Sequence, residues 1–531
     1  GRQIWGDVVI MVGEKKQIAK AAGVVGLSTL LSRILGFVRD ALIAKLFGAG
    51  MAADAFFVAF RIPNLFRRLL GEGSLTSSFI PIFTEYLTRR SKEEARGLAN
   101  AFFSLALAVL AVFTIIGIVF APAIVTVMAH GFSSIPEKFQ LTVTLTRMMF
   151  PYLLFVGLVA LCMGILNSLR HFAAPALSPT LLNISIILSA LFLTPYLKEP
   201  VMALAIGVVI GGISQLLLQF PFLWRNGIPL KIKWEPRHPG VVRVGGLMAP
   251  SVIGLAVTQI NVLVDTIVAS FLQEGTVSYL YYADRLLEFP MGIFAIAIAT
   301  AVLPAMSEKA SKNDMAGVKD TFSYALRLTL FLTIPAMVGL ISLAVPIISL
   351  LFQRGIFTYS TTIETSQALY GFALGLPAFA GVRIIVPVFY ALQDTRSPVK
   401  VAFVAMLTNI TCDLIFMYPL EQFGLSLATS ISAVVNFTLL VWILRGRVGR
   451  IGIRKILISA LRVTVSSLLM GAVAYSVCMT RGWDMPGDYY GKVLTLSAGI
   501  GSGVIVFLCS SYLIKSEELR SVFSLIKNKK R

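Results

Sequence analysis

The sequence predicts an all-α polytopic membrane protein with 14 transmembrane helices, arranged as two pseudo-symmetric six-helix lobes followed by two C-terminal helices. Three observations predict it. Of the 531 residues, 57% are hydrophobic and only 14% charged, against about 45–50% and about 25% in soluble domains. Apolar runs of about 20 residues, the length that crosses a hydrocarbon core, recur along the whole chain. A segment of the first half is also repeated in the second.

The composition excludes a soluble enzyme, a disordered chain and a disulfide scaffold. The formal net charge of +20 would suggest nucleic acid in a soluble protein; here it reads as basic loops facing an anionic leaflet, with no nucleic-acid partner. Cys162, Cys412, Cys478 and Cys509 sit inside apolar runs, and His130, His171 and His238 are scattered. Neither a zinc site nor a disulfide framework is expected.

Taken in order, residues 1–10 precede Met11 and lack the basic start, apolar middle and small-residue cleavage site of a signal peptide. They are set aside as an upstream extension of a cytoplasmic segment, 1–20. The N-lobe, 21–225, holds apolar spans at 24–47, 53–86, 98–128, 141–169, 175–196 and 202–224, each bounded by charge, Gly or Pro. A basic linker, 226–240, follows. The C-lobe, 241–447, holds spans at 242–272, 277–306, 318–352, 362–392, 398–418 and 423–444. Spans 456–478 and 490–514 fall within a last pair, 448–514, before a basic tail, 515–531.

Alternate connections differ sharply in Lys and Arg: about 30 in the set containing both ends of the chain, about six in the other. Both termini are therefore expected in the cytoplasm, which an even number of spans requires.

The repeat appears when RDALIAKLFGAGMAADAFFVAFR (39–61) is laid on VDTIVASFLQEGTVSYLYYADR (264–285). Asp40 then falls on Asp265, Arg61 and Arg285 follow at nearly equal distances, and Pro81 to Glu85 answers Pro304 to Glu308. Copies about 225 residues apart imply parallel lobes with a cavity between them.

Charge inside a span costs about 2.5–3.5 kcal/mol per residue even on the lenient insertion scale, so it marks function by default. The first two spans carry Ser32, Arg33, Arg39, Asp40, Asp54, Arg61, Asn64, Arg67, Arg68 and Glu72, and the eighth adds Asp284, Arg285 and Glu288. Together they predict a cationic chamber. Arginine is always charged and donates paired hydrogen bonds, so several of them suit a ligand with more than one negative charge, such as a pyrophosphate. Pro63, Gly71, Gly73 and Pro290 interrupt these spans and are the expected hinges. A purely structural pairing stands beside this reading for Asp40, Asp54 and Asp284, and an interfacial role beside it for Arg67 and Arg68. Arg147, Arg327 and Arg383 read as interfacial.

A second constellation lies later. Asn409 and Asp413 are spaced i,i+4 on one helical face, with Asp265 and Thr429 in the same lobe. Two carboxylates, an amide and a hydroxyl make a hard oxygen set for Na+ or H+, or an internally bonded polar cluster.

The stretch SRILGFVRDALIAKLFGAGMAADAFFVAFRIPNLFRRLLGEGSLTSSFIPIF (32–83), with YYADRLLEFPMG (281–292), closely resembles the bacterial lipid II flippases of the MurJ/MviN family, within the MOP exporter superfamily. The resemblance runs along the whole chain. It implies export of lipid II, the undecaprenyl-pyrophosphate-linked disaccharide-pentapeptide, from the inner to the outer leaflet of the cytoplasmic membrane by alternating access. It further implies that Arg33, Arg39, Arg67 and Arg285 bind the anionic headgroup, that the last two helices hold the polyprenyl tail, and that Asp265, Asn409, Asp413 and Thr429 match a sodium site completed by the backbone near Leu425. Membrane potential or a cation would reset the cycle, and no other cofactor is expected. One cavity per chain implies a monomer, with cell-wall synthesis proteins as associates.

Rival classes make different demands. A cationic-drug antiporter of the superfamily needs an acidic or aromatic cavity. An oligosaccharide-lipid exporter also carries a pyrophosphate lipid, and only the long motifs oppose it. A polyprenyl-phosphate glycosyltransferase needs an acidic metal-binding loop, and the sequence has none; nor has it a phosphate loop of the G-x-x-x-x-G-K-[ST] kind. A membrane scaffold predicts that neutralising Arg33 or Arg285 is harmless.

Overall fold

The computed structural model describes residues 2–69, 75–485 and 487–521, with the side chains of all of these except 2–22, 76, 77, 249–251 and 253–258. Among the described residues there is no strand; the chain is helices and their connections. It divides into two compact units, 1–43 with 51–263, and 44–50 with 264–531.

The first unit contains α1 (Arg2–Phe47) up to Ile43, then α2 (Met51–Leu69), α3 (Leu75–Arg89), α4 (Lys92–Val119), α5 (Ala121–Met128), α6 (Pro136–Met149), α7 (Pro151–Ser168), α8 (Ala173–Phe192), α9 (Met202–Arg225) and the opening of α10 (Pro239–Ser270). Helix starts follow local chemistry. Ser91 accepts a hydrogen bond from the Glu94 N–H at 3.1 Å, with Glu93 and Glu94 in the first turn of α4. Proline opens α6 and α7, where its missing N–H costs nothing. The core gathers Phe79, Phe83, Leu98, Phe102, Leu161 and Ile165. Val241 and Val244 of α10 belong to the same core, and for that reason the division falls inside α10 and not in the basic linker before it.

The second unit contains the end of α10, then α11 (Thr276–Pro290), α12 (Ile296–Ser311), α13 (Met315–Ser342), α14 (Ala344–Phe352), α15 (Tyr359–Leu374), α16 (Leu376–Ala391), α17 (Arg396–Val448), α18 (Ile453–Cys478) and α19 (Tyr489–Leu513). Residues 44–50 join it through bonds from the Ile356 N–H to the Lys45 carbonyl (3.1 Å) and from the Tyr282 hydroxyl to the Gly48 carbonyl (3.0 Å). Gly48 takes φ +61 there, and a Cβ would meet Ile356, so glycine is needed to turn the chain.

The order of elements repeats. A 28-residue α4 followed by the eight-residue α5 is answered by a 28-residue α13 followed by the nine-residue α14. The long apolar runs expected at 98–128 and 318–352 are thus each broken, at Phe120 and at Leu343. Helix α17 is also two arms: Glu421, at φ 48 and ψ −131, is not helical.

Ten stretches among the described residues are long and apolar enough to cross a membrane. Eleven of the expected 14 spans fall on these ten stretches, and α1, the α2 to α3 region and α10 are only partly among the residues searched. The two arms of α17 count once, and α1, the α2 to α3 region and α10 fall outside the ten, although Gln259–Ser270 at the end of α10 is a shorter apolar helix. In α2 the charges of Asp54, Arg61, Arg67 and Arg68 lower the hydropathy.

Candidate functional site

In the first unit the predicted charges lie on α1 and α2 and separate into two kinds. Arg39 is buried, 5% exposed; its Nη2 and Nε donate to Asp40 Oδ1 at 2.7 and 2.9 Å, and its Nη1 to Asn183 Oδ1 at 3.0 Å. Asn183, on α8, also donates through Nδ2 to the Ser32 carbonyl at 2.9 Å. One amide therefore ties α8 to α1 across both Ser32 and Arg39. Asp54 is likewise buried and paired with Lys138 of α6, Nζ to Oδ2 2.7 Å, while the ammonium lies 4.1 Å from the centre of the Phe132 ring.

The other arginines are more open. Arg33 is exposed, and Arg61, Asn64, Arg67 and Arg68 are partly exposed. Arg61 donates to the Val262 carbonyl at 3.1 Å and Arg67 to Asn64 Oδ1 at 3.0 Å. Pro63 lies within α2 without ending it. Glu72, Gly71 and Gly73 lie outside the described residues.

In the second unit Arg285 of α11 pairs with Glu288, Nη1 to Oε2 2.8 Å, and its Nη2 donates to the Tyr281 hydroxyl at 3.2 Å. The guanidinium carbon lies 5.2 Å from the centre of the Tyr281 ring, an arrangement that holds the fork in place. Asp284 is exposed. Beyond Pro290 the helix widens into a π turn, Met291–Ala295, before α12 begins, a break of the kind found at functional positions.

Of the second constellation, Asp265, Asn409 and Asp413 are brought together. Asn409 Nδ2 donates to Asp265 Oδ1 and to Asp413 Oδ2, both at 2.7 Å. Asn409 and Asp413 are fully buried, and Oδ1 of each has no hydrogen-bond partner. The Ser432 hydroxyl bonds the Ala405 carbonyl at 2.8 Å, which packs the two arms of α17 side by side. One turn beyond Ala405 lies Asn409, and about one turn before Ser432 lies Thr429, whose hydroxyl donates to the Leu425 carbonyl at 3.1 Å. Orphaned oxygens beside two carboxylates fit a hard monovalent cation. Among the described residues no group of three or more His, Cys, Asp and Glu side chains could hold a metal.

Sequence reasoning missed Lys138 and Asn183. Lys138 sits in a short polar connection between spans, where a lysine reads as solvated, and only the fold delivers Asp54 to it. Asn183 is a lone amide in an apolar run, and such an amide usually has a helix–helix partner, a signal that could have found it.

Comparison with known proteins supplies the remaining findings. The family described as "Lipid II flippase MurJ" matches residues 43–485. A protein of Vibrio cholerae named "Probable lipid II flippase MurJ" is 40% identical over 508 residues, 94% of this chain and 96% of that one. A solved structure described as "Lipid II flippase MurJ, inward closed conformation" superposes with a TM-score of 0.77 at 31% identity, covering 92% of this chain and 98% of the other. An inward-facing multidrug resistance MATE transporter of the MOP superfamily matches with a TM-score of 0.65 at 15% identity over 80% of this chain and 98% of its own, a likeness of fold alone.

Proposed function

Because the chain belongs to the lipid II flippase MurJ family, a family of multi-pass membrane transporters and not of enzymes, we propose that it carries lipid II from the inner to the outer leaflet of a bacterial cytoplasmic membrane. The observation that carries this reading is the crowd of arginines on α1 and α2, with Arg285 on α11, in segments whose neighbours are apolar. Such a set can bind a pyrophosphate but can make or break no bond.

In this reading the accessible cations Arg33, Arg67 and Arg285 take the phosphates, and the buried Arg39–Asp40 pair, tied to Asn183, holds α1 in shape. Ser32, Arg61, Asn64, Arg68 and Glu288 complete the polar lining. Fixed guanidinium forks replace the water that the diphosphate loses, which offsets its desolvation. Alternating access then needs backbone that can bend, and Pro63 and the π turn after Pro290 would supply it. The two arms of α17, together with α1, the α2 to α3 region and α10, bring the spans to 14, with both termini in the cytoplasm. The last pair, α18 and α19, accommodates the lipid tail.

Asp265, Asn409, Asp413, Thr429 and the Leu425 carbonyl would hold a sodium ion. Bound there, it would supply a positive charge that offsets the two facing carboxylates.

The test is exposure of lipid II in the outer leaflet of cells that depend on this chain, comparing wild type with Arg33→Ala and Arg285→Ala. Loss in both variants supports the reading; normal export in both removes the headgroup role.

A further inference from the structure

The connection from α9 to α10 is an extended segment, and its backbone runs along α4 rather than through open solvent. The Lys231 N–H donates to Asn100 Oδ1 at 2.9 Å and the Lys233 N–H to Ser104 Oγ at 2.7 Å, and both acceptor side chains are buried. Two N–H groups two residues apart on one side place alternate side chains on opposite faces of the segment. Lys231 and Lys233 share one face, Ile232 and Trp234 the other. The ends are anchored, Ile228 in the core of the first unit and Leu230 packed on it, Gly240 against Leu98 and Tyr86.

The depth of this segment can be read from α4. Its first turns hold Lys92, Glu93, Glu94 and Arg96, and from Gly97 to Val119 no charge occurs. Asn100 and Ser104 are therefore about 6 and 12 Å past Arg96, the last charge, at 1.5 Å per residue, within the headgroup and acyl layers. Irregular backbone at that level needs internal partners, and Asn100 and Ser104 provide them inside an otherwise apolar helix. Meanwhile Ile232 is 77% exposed, Trp234 63% and Trp224 74%, as interfacial anchors are. Around them lie Arg225, Lys231, Lys233 and Arg237 against one acid, Glu235, which pairs with Lys233 at 2.9 Å.

We propose that this pinned segment is a binding surface for an anionic phospholipid leaflet, with Ile232 and Trp234 in the upper acyl layer and Lys231 and Arg225 among the phosphates. The surface is separate from the arginine site and needs no transport to be observed.

The protein is reconstituted in vesicles of zwitterionic lipid, with or without anionic phospholipid, and fluorescence is compared between wild type and Trp234→Phe to isolate the one side chain. Phospholipids brominated near the top of the acyl chain should quench Trp234 about twofold or more, aqueous iodide should quench it little, and anionic lipid should shift its emission to the blue. In Lys231→Gln/Lys233→Gln, which keeps every tryptophan, the blue shift should disappear. Iodide reaching Trp234 while brominated lipid does not would overturn the proposal and point to a soluble partner. Equal quenching and emission with and without anionic lipid, or in the double variant, would overturn the anionic component.

Discussion

At the scale of residues, the structure separates charges that hold the fold from charges that face outward. Lys138 and Asp54 are both almost wholly buried, so Lys138→Ala removes the ammonium that pairs with the buried Asp54 carboxylate. That loss costs about 3–5 kcal/mol in comparable pairs, and it should appear as a clear drop in Tm of the purified protein. Lys138→Ala/Asp54→Asn should recover most of it; an unchanged Tm in the single variant would show that the pair contributes nothing. The cluster of Asp265, Asn409 and Asp413 makes a second demand. Sodium should raise the Tm relative to choline in wild type, and the increment should vanish in Asp413→Asn. Residue types at these positions were legible in the sequence, because charge in an apolar run stands out. Partners were not: whether Arg39 serves a ligand or Asp40 depends on Asn183 of α8, which only folding brings to α1.

Elements are set by packing and by caps. Gly207 and Gly211 of α9 face α8 so closely that a Cβ on Gly207 would lie 2.8 Å from the Ile186 Cα, and one on Gly211 3.1 Å from the Leu182 Cα. Small residues four apart let two membrane helices touch along their backbones. Gly207→Leu should therefore force α8 from α9 at a cost of about 1–3 kcal/mol, checked by Tm and by protease sensitivity. Where α17 begins, Asp394 is held below the usual carboxylate range by the Ser397 hydroxyl, then by the Ser397 and Arg396 N–H groups and the Arg447 guanidinium. A depressed value in the fold means stability that is present above the ordinary carboxylate range and lost as pH falls through the folded value. Asp394→Asn should flatten the acid limb of a Tm against pH profile; an identical limb would show that another group governs it. Most spans were legible as apolar runs. The breaks at Phe120 and Leu343 were not, because no charge marks them, and the division within α10 depends on Val241 and Val244 reaching a core built from distant segments.

For the whole molecule, the internal repeat read from Asp40 and Asp265 reappears as a repeated order of helices, with α4 and α5 answered by α13 and α14. The chain belongs to the family, and the proposal that a diphosphate meets these arginines rests on that membership together with their charge. The central claim, a proposal, is that Arg33 and Arg285 are needed to carry this headgroup. It is tested most directly by measuring lipid II in the outer leaflet of cells that depend on this chain, with wild type, Arg33→Ala and Arg285→Ala at equal membrane abundance. The account predicts exposure in wild type and a collapse in both variants; wild-type levels of export in both would contradict it.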